Sequence, residues 1–469
     1  MVSISFYGGV NEIGGNKILV EDKDTKIFLD FGMSFGARGD FFEEFLSPRT
    51  ANGIGDFLEM GLLPDLEGIY REDLMKHIGR KPLPAEIDGV LVSHAHADHV
   101  NYISFLHEDI PIYCGETAHR LLNAIQEQSN RGIENEVINF RKRPIQRGEP
   151  PVERKFNTFR TGDKFKIGSI EVEPIHVDHS VPGAYGYLLH TTGGTVIYTG
   201  DLRLHGNSPE MTYDFVNRAS DEKAEVLISE GTRIDIEKDN SSEKTVYQKS
   251  KAETENAKGL IIADFNFKDI DRFRTFYQIS KEIGRKLVIG FKHACFLEQY
   301  HQDKGLDAPD SRDENIFIFK QKRMTGTYDD SDYRDAYIKN RLDYPNLLTA
   351  EDIRKNEDDY MVILNYYYFN NLVDLKPTKG STYIHSTSEA FNEEMELTEE
   401  KQNNWLNHFG LRKVQAHCSG HASGSDIKEL ISKVKPKTIL PIHTEHPEIF
   451  KKLSSNVKVL GYAKPYKMG

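Results

Sequence analysis

Cysteine is scarce in this chain. Its 469 residues include three, Cys114, Cys295 and Cys418, odd in number and widely spaced. That excludes a disulfide framework and a Cys-x-x-Cys metal site, and it fits free thiols in a reducing compartment. Long apolar runs are missing as well. No segment approaches the roughly 20 residues that a membrane-spanning helix needs. The opening Met1-Val2-Ser3-Ile4-Ser5-Phe6-Tyr7-Gly8-Gly9 has no basic start before an apolar stretch, so it reads as a first strand and not as a signal peptide. A cytoplasmic protein without a membrane partner is expected. Positive charge is also in deficit, with 60 Lys and Arg against 73 Asp and Glu, a net −13. Phosphate-binding surfaces usually leave a basic footprint. The local exception is the set Arg141, Lys142, Arg143, Arg147, Arg154, Lys155 and Arg160, which reads equally as a phosphate contact or as a solvated basic loop.

What is present has globular texture, 38% hydrophobic and 28% charged, in a chain too long for one ordinary core, so two or three folding units are expected. Short Val- and Ile-rich runs each end in a polar residue: Ile27-Phe28-Leu29 before Asp30, Val90-Leu91-Val92 before a histidine cluster, and Val196-Ile197-Tyr198 before Asp201. Val226-Leu227-Ile228 before Glu230 and Ile439-Leu440-Pro441-Ile442 before His443 follow the same pattern. Buried strands of an α/β sandwich look like this, and polar groups at strand ends gather on one rim of a sheet. Asp30, the cluster, Asp201, Glu230 and His443 are therefore candidates for one site.

Beyond Glu230 the texture alternates. Residues 259–263, 286–289 and 360–364 read as strands and 269–283 as a helix, which is βαβ material for a doubly wound second domain. Residues 307–359 read as charged surface helices and loops. From Val414 the strand-and-histidine pattern returns, so the second domain is an insertion: 1–235 and 413–469 form the first domain, 236–412 the second. The irregular segment from Gly32 to Pro84 reads as a long excursion, lining either a site entrance or a subunit contact.

The densest chemistry lies in Ser93-His94-Ala95-His96-Ala97-Asp98-His99. A chance match to His-x-His-x-Asp-His anywhere in such a chain is expected about 0.002 times, so a metal site outweighs the alternative of a polar loop rich in histidine. His94 and His96, two apart at a strand end, can point the same way, and Asp98 and His99 fall in the turn opening a helix predicted over 100–106. Neither pair fills a tetrahedral shell, so other ligands must come from elsewhere, best from His179, Asp201 and His443, with Asp201 bridging two ions. His176 competes with His179 for its role. His107, His119, His190, His205, His293, His301, His408 and His446 lack ligand spacing and read as surface or hydrogen-bonded residues. Tyr366-Tyr367-Tyr368-Phe369 reads first as packing, with base stacking as its alternative.

These motifs, with Gly8 to Asn16, Phe28-Leu29-Asp30-Phe31-Gly32, Ser229-Glu230-Gly231-Thr232 and His417-Cys418-Ser419-Gly420-His421, resemble the metallo-β-lactamase-fold hydrolases, and among them the β-CASP nucleases, most closely ribonuclease J. The resemblance implies an αββα metallo-β-lactamase sandwich with an inserted β-CASP domain. It implies a metal-dependent exoribonuclease degrading single-stranded RNA from 5′ to 3′ by hydroxide attack on phosphorus, with endonuclease action in the same site. A β-CASP endonuclease acting on RNA or DNA, or a small-molecule hydrolase of the same fold, stays open as an alternative. The implied ligands are His94, His96, Asp98, His99, His179, Asp201 and His443, for two Zn²⁺ or alternatively Mn²⁺. Asp98, His421 and Glu230 take catalytic roles, with His421 steadied by Glu230 as the group that protonates the leaving oxygen, and Asp30 orients a ligand histidine. His417, Ser419, Gly420, Ser386 and Ser388 lie where relatives bind RNA phosphates. The inserted domain is expected to close a channel over the metals, and a homodimer is compatible with the family. The chain departs from the family in its long 32–84 segment, in ending soon after His443 and in lacking a Pro-rich version of the Ser386 region.

Overall fold

The Val- and Ile-rich runs form strands because their β-branched side chains are taken out of water on both faces. The computed structural model describes residues 1–43, 45–129, 132–238, 241–388 and 393–469. They divide into two compact units, one of Met1–Leu204, Ser208–Asp239 and Gly420–Gly469, the other of His205–Asn207 and Asn240–Ser419.

The first unit contains two large sheets. One runs in the order 466–467, 2–6, 18–22, 25–29, 89–92, 112–115, 156–159, and the other in the order 438–441, 224–229, 194–198, 185–191, 170–176, 165–167. Their inner faces share one core, with Ile4, Val20, Leu29 and Leu91 from the first sheet against Val172, Leu189, Val226 and Leu440 from the second. Each such side chain contributes about 1.5–3 kcal/mol by leaving water. The outer face of the second sheet is covered by helices Pro209–Ser220 and Gly424–Val434. In the latter, Ile427, Leu430, Ile431 and Val434 recur at helical spacing and are buried, while Ser423 caps the start, its Oγ accepting from the Asp426 N–H and its N–H and hydroxyl donating to the Asp426 carboxylate. Loss of that cap in Ser423→Ala would cost about 1 kcal/mol. The layers are those of the expected αββα sandwich.

Strands 25–29 and 89–92 run parallel in the first sheet, and 194–198, 224–229 and 438–441 run parallel in the second. Parallel strands deliver their carboxyl ends to the same edge. The residues that follow those ends are Asp30, His94, Asp201, Glu230 and His443.

The second unit holds a seven-stranded, all-parallel sheet in the order 347–348, 316–319, 286–290, 360–363, 261–264, 382–385, 412–415. Its core includes Ile262, Val288, Val362 and Tyr383, with Leu372 and Leu406 packed from helices. This is the doubly wound domain the alternation predicted. Strands Ile316–Phe319 and Leu347–Leu348 lie inside the stretch read as surface helices and loops. Ile-Phe-Ile-Phe is a four-residue apolar run, and the charged residues on either side dilute it in any longer window.

The helix predicted over 100–106 is instead one α-turn, Ala97–Val100, running into a 3₁₀ turn, Asn101–Phe105. The 32–84 segment folds into short helices at 35–39, 55–59 and 72–77. Among the described residues no helix is long and apolar enough to cross a membrane, and all three cysteines are buried free thiols.

Candidate metal centre

Strand 89–92 ends at Val92, and the chain then turns sharply enough that His94, His96, Asp98 and His99 all face one place. Two glycines make the turn feasible. A Cβ on Gly32 would sit 1.7 Å from the Asp98 carbonyl oxygen, and one on Gly14, at φ +82°, would sit 2.6 Å from Asp98 Oδ2. Backbone packs where side chains would stand, and the Asp98 carboxylate is pinned as a result.

Asp201 is the hub. Its Oδ2 lies 3.1 Å from His99 Nε2, 3.6 Å from His443 Nε2, 3.7 Å from His94 Nε2, 3.9 Å from His421 Nδ1 and 4.0 Å from His179 Nε2. Two triads flank it. On one side His96 Nδ1 faces His94 Nε2 at 3.0 Å and His179 Nε2 at 3.1 Å. On the other, Asp98 Oδ2 lies 3.3 Å from His443 Nε2 and 3.8 Å from His99 Nε2. All seven expected ligands are therefore brought together from distant parts of the sequence.

The outward-facing nitrogens decide which lone pairs point inward. His179 Nδ1 is 2.6 Å from the Gly420 carbonyl oxygen, which can only accept, so Nδ1 carries the proton. His99 Nδ1 donates to Asp30 Oδ2 at 2.8 Å. Ser93 Oγ gives its proton to Asp30 Oδ2 at 2.8 Å, so it accepts from His94 Nδ1 at 3.0 Å. Thr232 Oγ1 donates to the His443 carbonyl oxygen at 3.4 Å and faces His443 Nδ1 at 2.8 Å. With Nδ1 engaged outward, these four histidines turn Nε2 to the centre, the arrangement that backbone and carboxylate partners impose on metal ligands.

Electrostatics agree. Burial drives the His94 and His179 imidazoles well below their ordinary range, and neighbouring rings add to it. Burial opposes ionisation of Asp201, yet His443 and His99 hold its carboxyl well below the usual range; Asp98 is held low against burial by His99 and His443. His99 differs: burial pulls it down, but Asp201 and Asp30 outweigh that and move it up, so without a cation it holds a proton on Nε2 toward Asp201 as well, which a metal ion there would displace. Asp201 Oδ1 is buried without a hydrogen-bond partner. Such an atom ordinarily costs about 1–3 kcal/mol. A cation coordinated by imidazole and carboxylate removes that cost, and this donor set suits zinc and other first-row ions.

Beside the cluster, His421 Nδ1 lies 3.0 Å from Glu230 Oε2. Burial pulls its pKa down, but Glu230 prevails and holds it at about 9. Glu230 is itself fixed by accepting the Leu202 N–H at 2.8 Å. His176 is not in the cluster: its ring stacks on Tyr185 with centroids 4.3 Å apart.

The expected phosphate contacts sit in varied settings. Ser388 is exposed and Ser419 half-buried. The Gly420 carbonyl is engaged by His179. Ser386 is 2% exposed, its hydroxyl donating to the Ala416 carbonyl at 2.5 Å and accepting from Arg272 at 2.6 Å. Arg272 also reaches His417 Nδ1 at 3.4 Å and pairs with Glu243 at 2.9 Å. Burial and then Arg272 lower the His417 pKa to about 4. Arg272 escaped sequence reasoning, as did Ser93, Tyr198 and Thr232; only a helix start after Asp269 marked the arginine. The basic stretch is largely consumed internally: buried Arg154 donates to the Leu106 and Ser104 carbonyls, Lys142 pairs with Glu108, Arg143 with Glu136 and Arg160 with Glu116.

A two-sheet sandwich between helices, with histidines and aspartates at its strand ends, is the metallo-β-lactamase fold. Residues 67–239 match a β-lactamase superfamily domain and residues 411–456 a Zn-dependent metallo-hydrolase RNA specificity domain. The first unit therefore has the metallo-β-lactamase fold. Over nearly its whole length it is similar to ribonuclease J: 22% identical to that of Mycoplasma genitalium over 94% of this chain and 67% of the relative, and 21% identical to that of Helicobacter pylori over 96% and 56%. It is 24% identical to ribonuclease J of Pyrococcus abyssi over 95% of this chain and 90% of the relative. The chain thus spans little more than half the length of some curated relatives. A crystal structure of an Enterococcus faecalis protein of unknown function shares the fold, with a TM-score of 0.75 at 24% identity over 99% of both chains.

Proposed function

We propose that this chain is a metal-dependent ribonuclease of the ribonuclease J type that degrades single-stranded RNA from the 5′ end. The observation that carries the reading is the His421–Glu230 pair, 3.0 Å apart, set 3.9 Å from the hub of a seven-ligand cluster. Two ions, zinc first and manganese as the alternative, would supply water activation near neutral pH and positive charge for a phosphate. His94, His96 and His179 would hold one, Asp98, His99 and His443 the other, with Asp201 shared.

The chain's own residues account for the rest. His421, charged at neutral pH through Glu230, carries the proton a leaving oxygen requires, and the same charge suits a phosphorane oxygen. Asp30 keeps the proton of His99 on Nδ1 and so keeps Nε2 available. His417, Ser419, Gly420 and Ser388 are assigned to RNA phosphates. Ser386, its hydroxyl already committed, shapes that region together with Arg272. The buried thiols fit a reducing cytoplasm, and a homodimer is compatible with the family.

The test is digestion of 5′-labelled and 3′-labelled single-stranded RNA, each bearing a 5′-monophosphate, by the protein and by His96→Ala with Zn²⁺ or Mn²⁺. Release of the 5′ label as mononucleotide, progressive shortening of the 3′-labelled strand and an inert variant are expected. Discrete internal fragments would point to an endonuclease, and intact RNA would overturn the reading.

A further inference from the structure

The second unit contains a cavity of about 600 Å³, within the size range of small-molecule sites. It lies at the carboxyl ends of strands Ile261–Asp264, Tyr360–Ile363 and Thr382–His385, adjacent in the parallel sheet. The chain leaves the first of these through helix Ile270–Glu282 to a strand on one side, and the last strand lies on the other side. Crevices at such reversals of strand order are where doubly wound sheets bind ligands.

The lining is aromatic and cationic together. Phe265, Phe267, Tyr366, Tyr367 and Tyr368 contribute rings, and Lys268 and Lys292 contribute charge. The tyrosine run read in sequence first as packing is only partly that: Phe369 is buried, whereas Tyr367 is 85% exposed. Phe267 is already stacked on His293 with centroids 4.3 Å apart and planes 8° from parallel. Rings with a cation nearby hold a planar base by its face and a phosphate by its charge.

Two polar groups would read the base. Asn365 Oδ1 has no hydrogen-bond partner, so swinging the amide toward a ligand donor forfeits nothing at that atom. Asp264, on the cavity wall, accepts from Tyr383 at 2.5 Å. Burial pushes its carboxyl up to about 7, so it can donate as well as accept near neutrality.

From the cavity, its aromatic and lysine lining and the unsatisfied Asn365 amide, we propose that the second unit binds a nucleoside 5′-phosphate whose base carries an amino group. The base lies against the tyrosines with its amino group on Asn365, and the phosphate meets Lys292 and Lys268. Ser388, assigned above to RNA phosphates, also lines the cavity, so the proposal deepens that assignment, while it stands apart from the reading of the metal centre. The ligand would be either a free nucleotide or one residue of an RNA strand.

Calorimetric titration of the full-length protein with AMP, CMP, UMP, adenosine, inorganic phosphate and a 5′-phosphorylated oligoadenylate separates these cases. His94→Ala, with its metal centre broken, serves as a second background. AMP and CMP should bind more tightly than UMP, adenosine or phosphate. Tyr367→Ala should weaken AMP roughly 5- to 150-fold, the range of one lost base stack, and Lys292→Glu should weaken it more at low salt than at high salt. Tyr367 and Lys292 lie at the surface or near it, so thermal melts should match those of the unmodified protein. If only the oligonucleotide shows this dependence, the occupant is a strand nucleotide. Binding abolished in His94→Ala but indifferent to the two cavity substitutions would place the nucleotide at the metal centre and overturn the proposal. So would absence of any nucleotide binding at millimolar concentration. Intact RNA in the digestion assay alongside AMP binding sensitive to Tyr367→Ala would sink the ribonuclease reading and leave this one standing.

Discussion

Replacing Asp30 tests whether the metal centre is held by its surroundings. The carboxylate is fully buried and accepts from the Ser93 N–H at 2.6 Å, Ser93 Oγ at 2.8 Å, Tyr198 OH at 2.7 Å and His99 Nδ1 at 2.8 Å. It also stands at φ +58°, a left-handed conformation that asparagine tolerates and most residues resist. Asp30→Asn therefore keeps the backbone and the shape but turns one acceptor oxygen into a donor. Whichever way the amide is turned, its N–H then faces a donor, either the Ser93 N–H at the Oδ1 position or the three donors shared at the Oδ2 position.

Hydrogen bonds to a buried charge contribute about 1.5–3 kcal/mol each, and breaking such a network costs about 3–5 kcal/mol. If His99 moves its proton to Nε2 to escape the clash, its inward lone pair is lost. Metal affinity should fall about 10- to 100-fold, the usual effect of losing a ligand's supporting partner. Zinc competition against a chromophoric chelator reads the affinity, and thermal melts with and without metal read the stability. Wild-type affinity together with an unchanged metal-free melt would refute the argument that Asp30 sets the His99 tautomer.

Three other outcomes are expected. Glu230→Gln and His421→Ala should keep zinc content while lowering turnover by about 10²–10⁴, the range of a positioned acid; a loss of metal in either, by elemental analysis, would make them ligands instead. Gly32→Ala should yield little soluble protein or a melt lowered by more than about 3 kcal/mol, since its Cβ would lie 1.7 Å from the Asp98 carbonyl oxygen; a wild-type melt would refute the close approach. Asp264 carries a folded-state pKa raised by burial to about 7 against 3.8 for the ordinary carboxyl, so the native state holds a proton that the unfolded state has released between those values. Stability contributed by this group therefore falls as pH rises from about 4 to 7, on the order of a few kcal/mol, and denaturant titrations of Asp264→Asn should show the decline reduced; identical pH slopes would refute it.

Much of the centre was legible because its chemistry is local or periodic. His94, His96, Asp98 and His99 lie within six residues, and Asp201, Glu230 and His443 each follow an apolar strand. Parallel pairing then places those strand ends on one edge. The doubly wound unit was legible for the same reason, as apolar runs alternate with helical periodicity. The strand at 316–319 was not, because four residues cannot outweigh a charged neighbourhood.

By itself, then, the sequence pointed to the residues that gather in the cluster, to their place at the ends of apolar strands and to a second, alternating α/β sheet, since these depend on spacing and hydrophobic pattern along the chain. Only the tertiary structure decided which nitrogen of each histidine carries its proton, because Gly420 and Asp30 reach His179 and His99 from 241 and 69 residues away. The same holds for Arg154, which composition marks as a solvated or phosphate-binding cation and packing buries against two carbonyls. Arg272, which takes up the Ser386 hydroxyl, is a third case. Hydrogen-bond partners are chosen by proximity in space, and long-range proximity is a property of the folded chain that no local window contains.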